Sequence, residues 1–139
     1  MTEDKWAMFR RHDGRVTTRA AASLRVFVEL LWPVLEPATP FVPNWHIDVL
    51  CEYLEAVTAG QITRLVINVP PRSMKSTLVS VAWPCWEWIQ APSRRFLLVS
   101  YGESLAARLA VDRRRILESP DFQRRYPVRL VREIGRAHV

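Results

Sequence analysis

The sequence is poor in cysteine and histidine, and this limits the kinds of site that it can build. Its two cysteines, Cys51 and Cys85, lie far apart and form no C-x-x-C pair, which argues against a disulfide framework and against a zinc site. Both lie in apolar segments with helical periodicity, so we expect buried core thiols. The histidines, His12, His46 and His138, form no H-E-x-x-H motif.

The sequence also lacks the usual signals for membrane insertion. Its beginning, MTEDKWAMFRRHDGR, is too charged for a signal peptide. No uninterrupted apolar run is long enough to span a bilayer. By elimination we expect a cytoplasmic protein without a membrane partner.

The composition is that of a globular protein with an excess of positive charge. The chain has 139 residues, of which 49% are hydrophobic, enough for one modest domain with a core. The formal net charge of +6 favours acidic partners such as nucleic acid or a nucleotide. Arginine supplies most of this charge, and arginine suits bidentate contacts with phosphate. The alternative at this point is a solvated basic surface.

Two amphipathic helices are predicted in the first half of the chain, after a polar start of about 19 residues that we expect to be loosely ordered. The first helix should end at Pro33, the second should begin after Asn44, and Gly60 should stop the second. The apolar stripe of the first helix consists of Leu24, Phe27, Val28 and Leu31. The stripe of the second consists of Ile47, Leu50, Cys51 and Leu54.

The second half of the chain alternates between predicted strands and helices. The segments 64–69, RLVINV, and 95–100, RFLLVS, are short and almost continuously apolar, which favours strands covered on both faces. A buried helix is predicted over 76–89, kinked or shortened by Pro84. Ser100 and Glu103 have the spacing of a capping box for a last helix. This order predicts an α/β fold with a parallel sheet.

The loop between the first predicted strand and its helix, PPRSMKST, resembles a phosphate-binding loop. Such a loop normally follows the pattern G-x-x-x-x-G-K-[ST] and holds phosphates with backbone N–H groups and a lysine. Lys75 and Ser76 fit its last two positions, whereas Val69 and Met74 occupy the glycine positions. A methionine in the left-handed conformation that glycine permits would cost roughly 1–2 kcal/mol. From the pattern alone, nucleotide binding and a basic turn without function both remain open.

Three blocks in the same order carry a resemblance to a known family. They are FVPNWHIDVLCEYLEAVTAG, RLVINVPPRSMKST and RFLLVSYGESLAARLAVDRRRILESPDFQRRYP. Together they resemble the N-terminal ATPase part of phage and prophage terminase large subunits, over residues 41–127. Members of that family carry PPR-x-x-KS loops, in some cases with methionine before the lysine. The resemblance implies an incomplete P-loop NTPase-type parallel sheet with flanking helices over 44–127, preceded by a helical or extended lead-in over 1–43.

The resemblance also implies roles for individual residues. Lys75 and Arg72 would be catalytic, with Lys75 on the β- and γ-phosphates of ATP and Arg72 sensing or stabilising the γ-phosphate, and Ser76 would bind Mg²⁺. Trp45 and His46 occupy the place of an adenine-side element that usually contains glutamine. The alternatives are a packing anchor for Trp45 and an exposed helix residue for His46. The expected nucleotide-binding residues are Pro71, Arg72, Ser73, Met74, Lys75, Ser76, Thr77, Trp45 and His46.

The implied protein is a DNA-packaging motor and an endonuclease in its full length. Its partners would be double-stranded DNA, the portal protein, the small terminase subunit and further copies of itself in a homo-oligomeric ring. It would work in the bacterial host cytoplasm and transiently at the procapsid portal. Arginines of the last predicted helix would meet DNA or a neighbouring subunit, the alternative being a solvated face. These arginines are Arg108, Arg113, Arg114 and Arg115.

Several parts of such a motor are missing from this sequence. No apolar strand ending in paired acidic residues follows Arg95, and the nuclease carboxylates are not found. We therefore expect little or no ATP hydrolysis by the chain alone. The segment 128–139 does not match the family, and its IGRAHV end resembles a translated sequencing adapter. We interpret this segment as an artefactual tail of an N-terminal fragment, with a short natural tail as the alternative.

Two other functions stay open on the sequence. One is a fragment of a different P-loop enzyme, such as a helicase or another phage ATPase. The other is a non-enzymatic basic module that binds DNA through its arginines. Sequence beyond Glu133 would separate the first from a terminase, because nuclease-type carboxylates favour a terminase and helicase motifs oppose it. A comparison of Mg-ATP affinity with salt-dependent DNA affinity would separate the second, for which Lys75→Ala leaves nucleotide binding unchanged.

Overall fold

Every regular element between residues 3 and 130, the part of the chain that this computed structural model describes, is a helix. A π-helical segment, Thr77–Ala82, leads directly into the fourth α-helix. The α-helices are α1 (Glu3–Ala22), α2 (Leu24–Leu35), α3 (Trp45–Thr58), α4 (Trp83–Gln90), α5 (Glu103–Glu118) and α6 (Pro120–Arg125). Of the predicted tail over 128–139, residues 131–139 lie outside the described part.

Helix α2 is the centre of the core. It contacts α1, α3, α4, α5 and the π-helical segment. Its predicted stripe is confirmed, because all four stripe residues are buried. The predicted end at Pro33 is wrong, since the helix continues to Leu35. Proline lacks one hydrogen bond there, but its ring holds a helical φ, and the N–H of Glu36 still closes the last turn on the carbonyl of Trp32 at 2.9 Å.

Helix α3 packs on α2 and ends as the sequence predicts. Its stripe residues are buried, Asn44 is the residue that precedes the helix, and Gly60 has φ of 75°. The N–H of Gly60 donates to the carbonyl of Val57, and the N–H of Gln61 donates to the carbonyl of Ala56. This pair of bonds is the Schellman motif, which needs a left-handed residue that glycine adopts without strain.

Helix α1 contradicts the prediction of a loosely ordered N-terminus. Contacts distant in sequence hold it, since α6 packs against its second half. The hydroxyl of Tyr126 donates to the carbonyl of Thr17 at 2.8 Å. Arg124 and Arg125 each contact the carboxylate of Asp13 at 2.6 Å. Hydrogen bonds from Arg124, and then from Arg125, lower the pKa of Asp13 despite an opposing effect of burial.

The predicted α/β fold with a parallel sheet is wrong for the described residues. The segments 64–69 and 95–100 contain no strand, and no backbone hydrogen bond joins them. They are also not covered on both faces, since Val66, Leu97 and Val99 are 84–91% exposed. Alternate residues such as Leu65 and Ile67 rest on the helical core instead. The apolar runs therefore specify an extended backbone with one covered face, and they form no sheet.

Pro84 does not shorten the helix that follows the loop, but the hydrogen bonding of the helix changes just before it. The helical conformation runs from Lys75 to Gln90, and it is π-helical just before the proline. Pro84 has no N–H to offer to the carbonyl of Ser80, and its ring would crowd that carbonyl. The widened turn moves the backbone out of the α pattern, and the N–H of Trp83 donates to the carbonyl of Leu78, five residues back. The π-helical segment is thus a local consequence of Pro84.

Helix α5 closes the core, but the predicted capping box is wrong. The helix begins at Glu103 after Gly102, and no side chain caps it. Ile116 and Leu117 are buried in the core.

In the described part of the chain, no helix is long and apolar enough to cross a membrane.

The prediction of buried core thiols is confirmed for both cysteines. Cys51 and Cys85 are free and buried. Burial raises the pKa of each thiol to about 12, so at neutral pH both remain protonated, packed groups.

Candidate phosphate-binding loop

The loop before the π-helical segment forms a concave pocket of about 410 Å³, lined by residues 69–77. This volume lies in the range of small-ligand sites. The pocket contains all the predicted phosphate-loop residues from Pro71 to Thr77, and Val69 and Pro70 complete its wall. The predicted loop residues therefore line one pocket, whereas the sheet on which the sequence placed the loop is not found in the described residues.

Two loop residues have a left-handed backbone. Arg72 has φ of 64° and Met74 has φ of 61°, and in the described residues these are the non-glycine positions with positive φ. Met74 occupies the position where a phosphate loop usually has its second glycine. The structure thus requires there the backbone conformation that glycine would supply. Backbone that combines right-handed and left-handed residues can turn successive N–H groups toward a common side, and such concavities bind anions.

Internal hydrogen bonds close the loop and start the helix. The hydroxyl of Ser73 donates to the carbonyl of Pro70 at 2.6 Å. The carbonyl of Met74 accepts the N–H of Leu78 at 2.8 Å, the first i to i+4 bond of the helix. The N–H groups of the first helical residues, from Lys75 onward, have no acceptor within the helix, and such groups are where anions bind.

The charged groups of the loop are available to a ligand. Arg72, Lys75 and Ser76 are exposed. Neither Arg72 nor Lys75 forms an ion pair with any residue that the structure describes. Two unpaired cations beside a concave backbone favour a phosphate ligand by charge.

Helix α3 brings His46 to the loop, but it leaves Trp45 away from the pocket wall. The Nε2 atom of His46 lies 3.2 Å from the carbonyl oxygen of Ser73. Trp45 is 75% exposed and meets His46 edge to face, with the ring centroids 6.3 Å apart. Trp45 is therefore not a packing anchor, and His46 is not a freely exposed helix residue.

A metal ion at this loop would need ligands beyond the side chains that the structure describes. The part of the chain that the structure describes has no group of three or more His, Cys, Asp or Glu side chains suited to a metal. Mg²⁺ commonly binds proteins through one or two side chains together with substrate phosphates and waters. Ser76, an exposed hydroxyl at the start of the helix, fits one such position.

Arg113 of α5 contacts the π-helical segment that follows the loop, a role that the sequence did not predict for it. Its Nη1 donates to the carbonyl of Ser80 at 2.6 Å, the same carbonyl that Pro84 leaves without a partner. Partial burial lowers the pKa of Arg113. Pro84 gave a signal for this contact, because a proline inside a helix frees the carbonyl four residues earlier.

The other arginines predicted to meet DNA differ in how they are held. Arg115 donates to the carbonyl of Val34 and contacts Asp112. Arg114 is well exposed and lies 3.8 Å from Glu118. Arg108 is exposed. The predicted basic surface of α5 is thus reduced to Arg108 and Arg114, with Arg113 and Arg115 engaged by the protein.

Comparisons of the chain with known protein families, with curated proteins and with solved structures find no match.

Proposed function

We propose that the chain binds the phosphates of ATP in the loop 70–77 and is part of the ATPase motor of a phage DNA-packaging terminase. The observation that carries the proposal is the left-handed backbone of Arg72 and Met74 directly before Lys75 and Ser76. Strained backbone of this kind persists where the surrounding structure enforces it, and it is concentrated at ligand sites. The nucleotide-binding part of the proposal depends on the loop, whereas the parallel sheet that the resemblance implies for the motor is not found in the described residues.

Each of the loop residues would contact a different part of the bound nucleotide. Lys75 would place its charge at the outer phosphates, and the N–H groups at the start of the helix would bind phosphate oxygens. Ser76 would supply one oxygen to a Mg²⁺ ion bound with the nucleotide. Arg72 would stabilise charge on the γ-phosphate. In the full motor the reaction is attack of water on that phosphate, driven by positioning and electrostatics.

Hydrolysis by this chain alone should be weak. Buried or well-paired carboxylates are poor candidates for orienting the attacking water. Glu87 forms an ion pair with Arg94, and Asp13 and Asp121 are held by Arg124 and Arg125. The proposal therefore predicts nucleotide binding without appreciable turnover.

Double-stranded DNA is the second ligand of the proposal. The net charge of +6 and the exposed Arg108 and Arg114 favour contact with a DNA backbone. The portal protein, the small terminase subunit and a ring of identical subunits would be the protein partners in the full motor. The setting would be the host cytoplasm and, transiently, the procapsid portal.

The competing function is a basic module that binds DNA and no nucleotide. Calorimetry with Mg-ATP and salt-dependent binding of a short DNA duplex separate the two. Lys75→Ala should abolish nucleotide binding and leave DNA binding nearly unchanged. Arg108→Ala, the matched loss of one exposed charge, should weaken DNA binding and spare nucleotide binding. Strong DNA binding by a chain that does not bind Mg-ATP would favour the module and contradict the proposal.

A further inference from the structure

His46 is the residue through which helix α3 contacts the phosphate loop. A carbonyl oxygen accepts hydrogen bonds and cannot donate them, so Nε2 of His46 must carry a hydrogen to bind Ser73. The neighbouring residue, Ile47, is 2% exposed in the core and fixes the start of α3. The side chain of His46 thus connects the buried start of α3 to Ser73 in the middle of the loop.

The contact falls at the peptide that controls the shape of the loop. Ser73 lies between the two left-handed residues, Arg72 and Met74. A trans peptide is planar, so its carbonyl and its N–H point in opposite directions. A bond that holds the carbonyl of Ser73 toward His46 therefore holds the N–H of Met74 toward the other side.

We propose that His46 is a positioning residue, which orients the Ser73–Met74 peptide so that the loop amides converge on phosphate, and that it does not contact the base. This inference rests on the proposed function of the loop. It differs from the adenine-side role that the sequence resemblance implies for His46. A residue that acts through the loop changes the affinity for every phosphate ligand by the same factor.

The test compares three ligands, Mg-ATP, Mg-GTP and Mg-tripolyphosphate, by calorimetry on the full chain. His46→Ala should weaken all three equally, by roughly 3- to 10-fold, the factor that corresponds to one hydrogen bond. His46→Gln, which retains a donor, should restore most of the affinity. The matched control is His12→Ala, at an exposed position of α1, which should change none of the affinities.

A second measurement needs no ligand. Hydrogen exchange of a peptide covering 70–77 should be faster in His46→Ala than in the wild-type chain, and His46→Gln should restore it. If His46→Ala does not fold, nitrogen NMR of the wild-type ring decides, because the inference requires the hydrogen on Nε2. A ring protonated on Nδ1 alone would overturn it.

The outcomes separate this inference from the proposed function. A loss confined to ATP and GTP, with tripolyphosphate unaffected, would assign His46 to the base and overturn the positioning role. Equal binding by the wild-type chain and His46→Ala would also overturn it, while leaving the proposed function intact. Failure of the wild-type chain to bind any of the three ligands would instead overturn the proposed function.

Discussion

The guanidinium of Arg113 donates to the carbonyl of Ser80 across the interface between α5 and the π-helical segment, at 2.6 Å. Pro84 creates the need for this bond, because it cannot supply the N–H that would bind Ser80 in an α-helix. A side chain from a helix distant in sequence thus supplies a hydrogen-bond donor to the backbone of the π-helical segment. The π-helical segment and α5 are linked by this bond as well as by apolar packing.

Removal of the Arg113 side chain should be costly because it leaves a partly buried carbonyl without a partner. We expect Arg113→Ala to lower the free energy of unfolding by about 1–3 kcal/mol in urea titrations. Arg114→Ala, on the exposed face of the same helix, is the control and should change it by less than about 0.5 kcal/mol. In a Pro84→Ala background, Ser80 can bond within the helix, so Arg113→Ala should cost about 1 kcal/mol less. An equal cost in both backgrounds would contradict this explanation.

Because the backbone of Met74 is left-handed, glycine at this position should give a more stable protein than alanine, the reverse of the usual order in a helix. We expect Met74→Gly to be more stable than Met74→Ala by about 1 kcal/mol, because alanine bears the left-handed penalty and glycine does not. In the exposed middle of α5, Ala110→Gly should destabilise the protein by about 0.5–1 kcal/mol. Thermal or urea unfolding measures both differences. The same order at both positions would show that Met74 is not left-handed in solution.

The carboxylate of Glu87 is the most deeply buried charge in the described part of the chain. It is 3% exposed, forms an ion pair with Arg94 and accepts a hydrogen bond from the hydroxyl of Thr58. Glu87→Gln removes the charge and leaves the guanidinium with a poorer partner. We expect a loss of about 1–3 kcal/mol in the free energy of unfolding. The exposed Glu52→Gln should change it by less than about 0.5 kcal/mol, and equal effects would contradict the assigned role.

The ion pairs between α1 and α6 should make stability depend on acid pH. Arg124 and Arg125 lower the pKa of Asp13 in the folded chain. A lowered folded pKa contributes stability that is complete above the unfolded value of about 4 and is lost as pH falls through the folded value. We therefore expect Asp13→Asn to be less stable than the wild-type chain at pH 7, and we expect this difference to be smaller at pH 3. Urea titrations at both pH values measure this, and a constant difference would contradict it.

The first half of the fold was predictable because it depends on local patterns. The stripes of α2 and α3 follow from side-chain spacing, and the left-handed Gly60 follows from the need to end a helix. Helix α1 was missed because its order comes from contacts with α6, such as that of Tyr126 with Thr17, which are about a hundred residues apart. The local sequence of α1 does not show that these distant contacts exist.

The sheet was predicted wrongly for a related reason. Branched and aromatic residues in 64–69 and 95–100 favour an extended backbone locally, but a sheet also needs a partner strand at the right distance. Phe96 instead packs edge to face on Trp83 and Trp88, with ring centroids 5.8 and 5.5 Å away. Those tryptophans anchor the extended segment to a helix. Continuous apolar character did not reveal which face would remain open.

One local detail of the candidate site was predictable from the sequence. The pattern placed a phosphate loop at Pro71 to Thr77, and it identified Met74 as the residue that would need a left-handed backbone; the structure has this conformation. It did not identify the contact of His46 with the loop or the contact of Arg113 with Ser80. Pro84 marks Ser80 as a carbonyl that needs a partner, but both contacts join elements distant in sequence, so no local spacing shows which side chain makes them.

The open faces of the two extended segments have a practical consequence. Apolar side chains are exposed to solvent on these faces, namely those of Val66, Leu97 and Val99. The main-chain groups beside them take part in no β-sheet pairing in the described residues. Such surfaces associate as the protein concentration rises. The light scattering per unit of protein should therefore increase with concentration. Leu97→Lys would leave the anchoring side of its segment unchanged and would add a charge that repels neighbouring molecules. The protein should then not aggregate at the concentrations that crystallisation and NMR require.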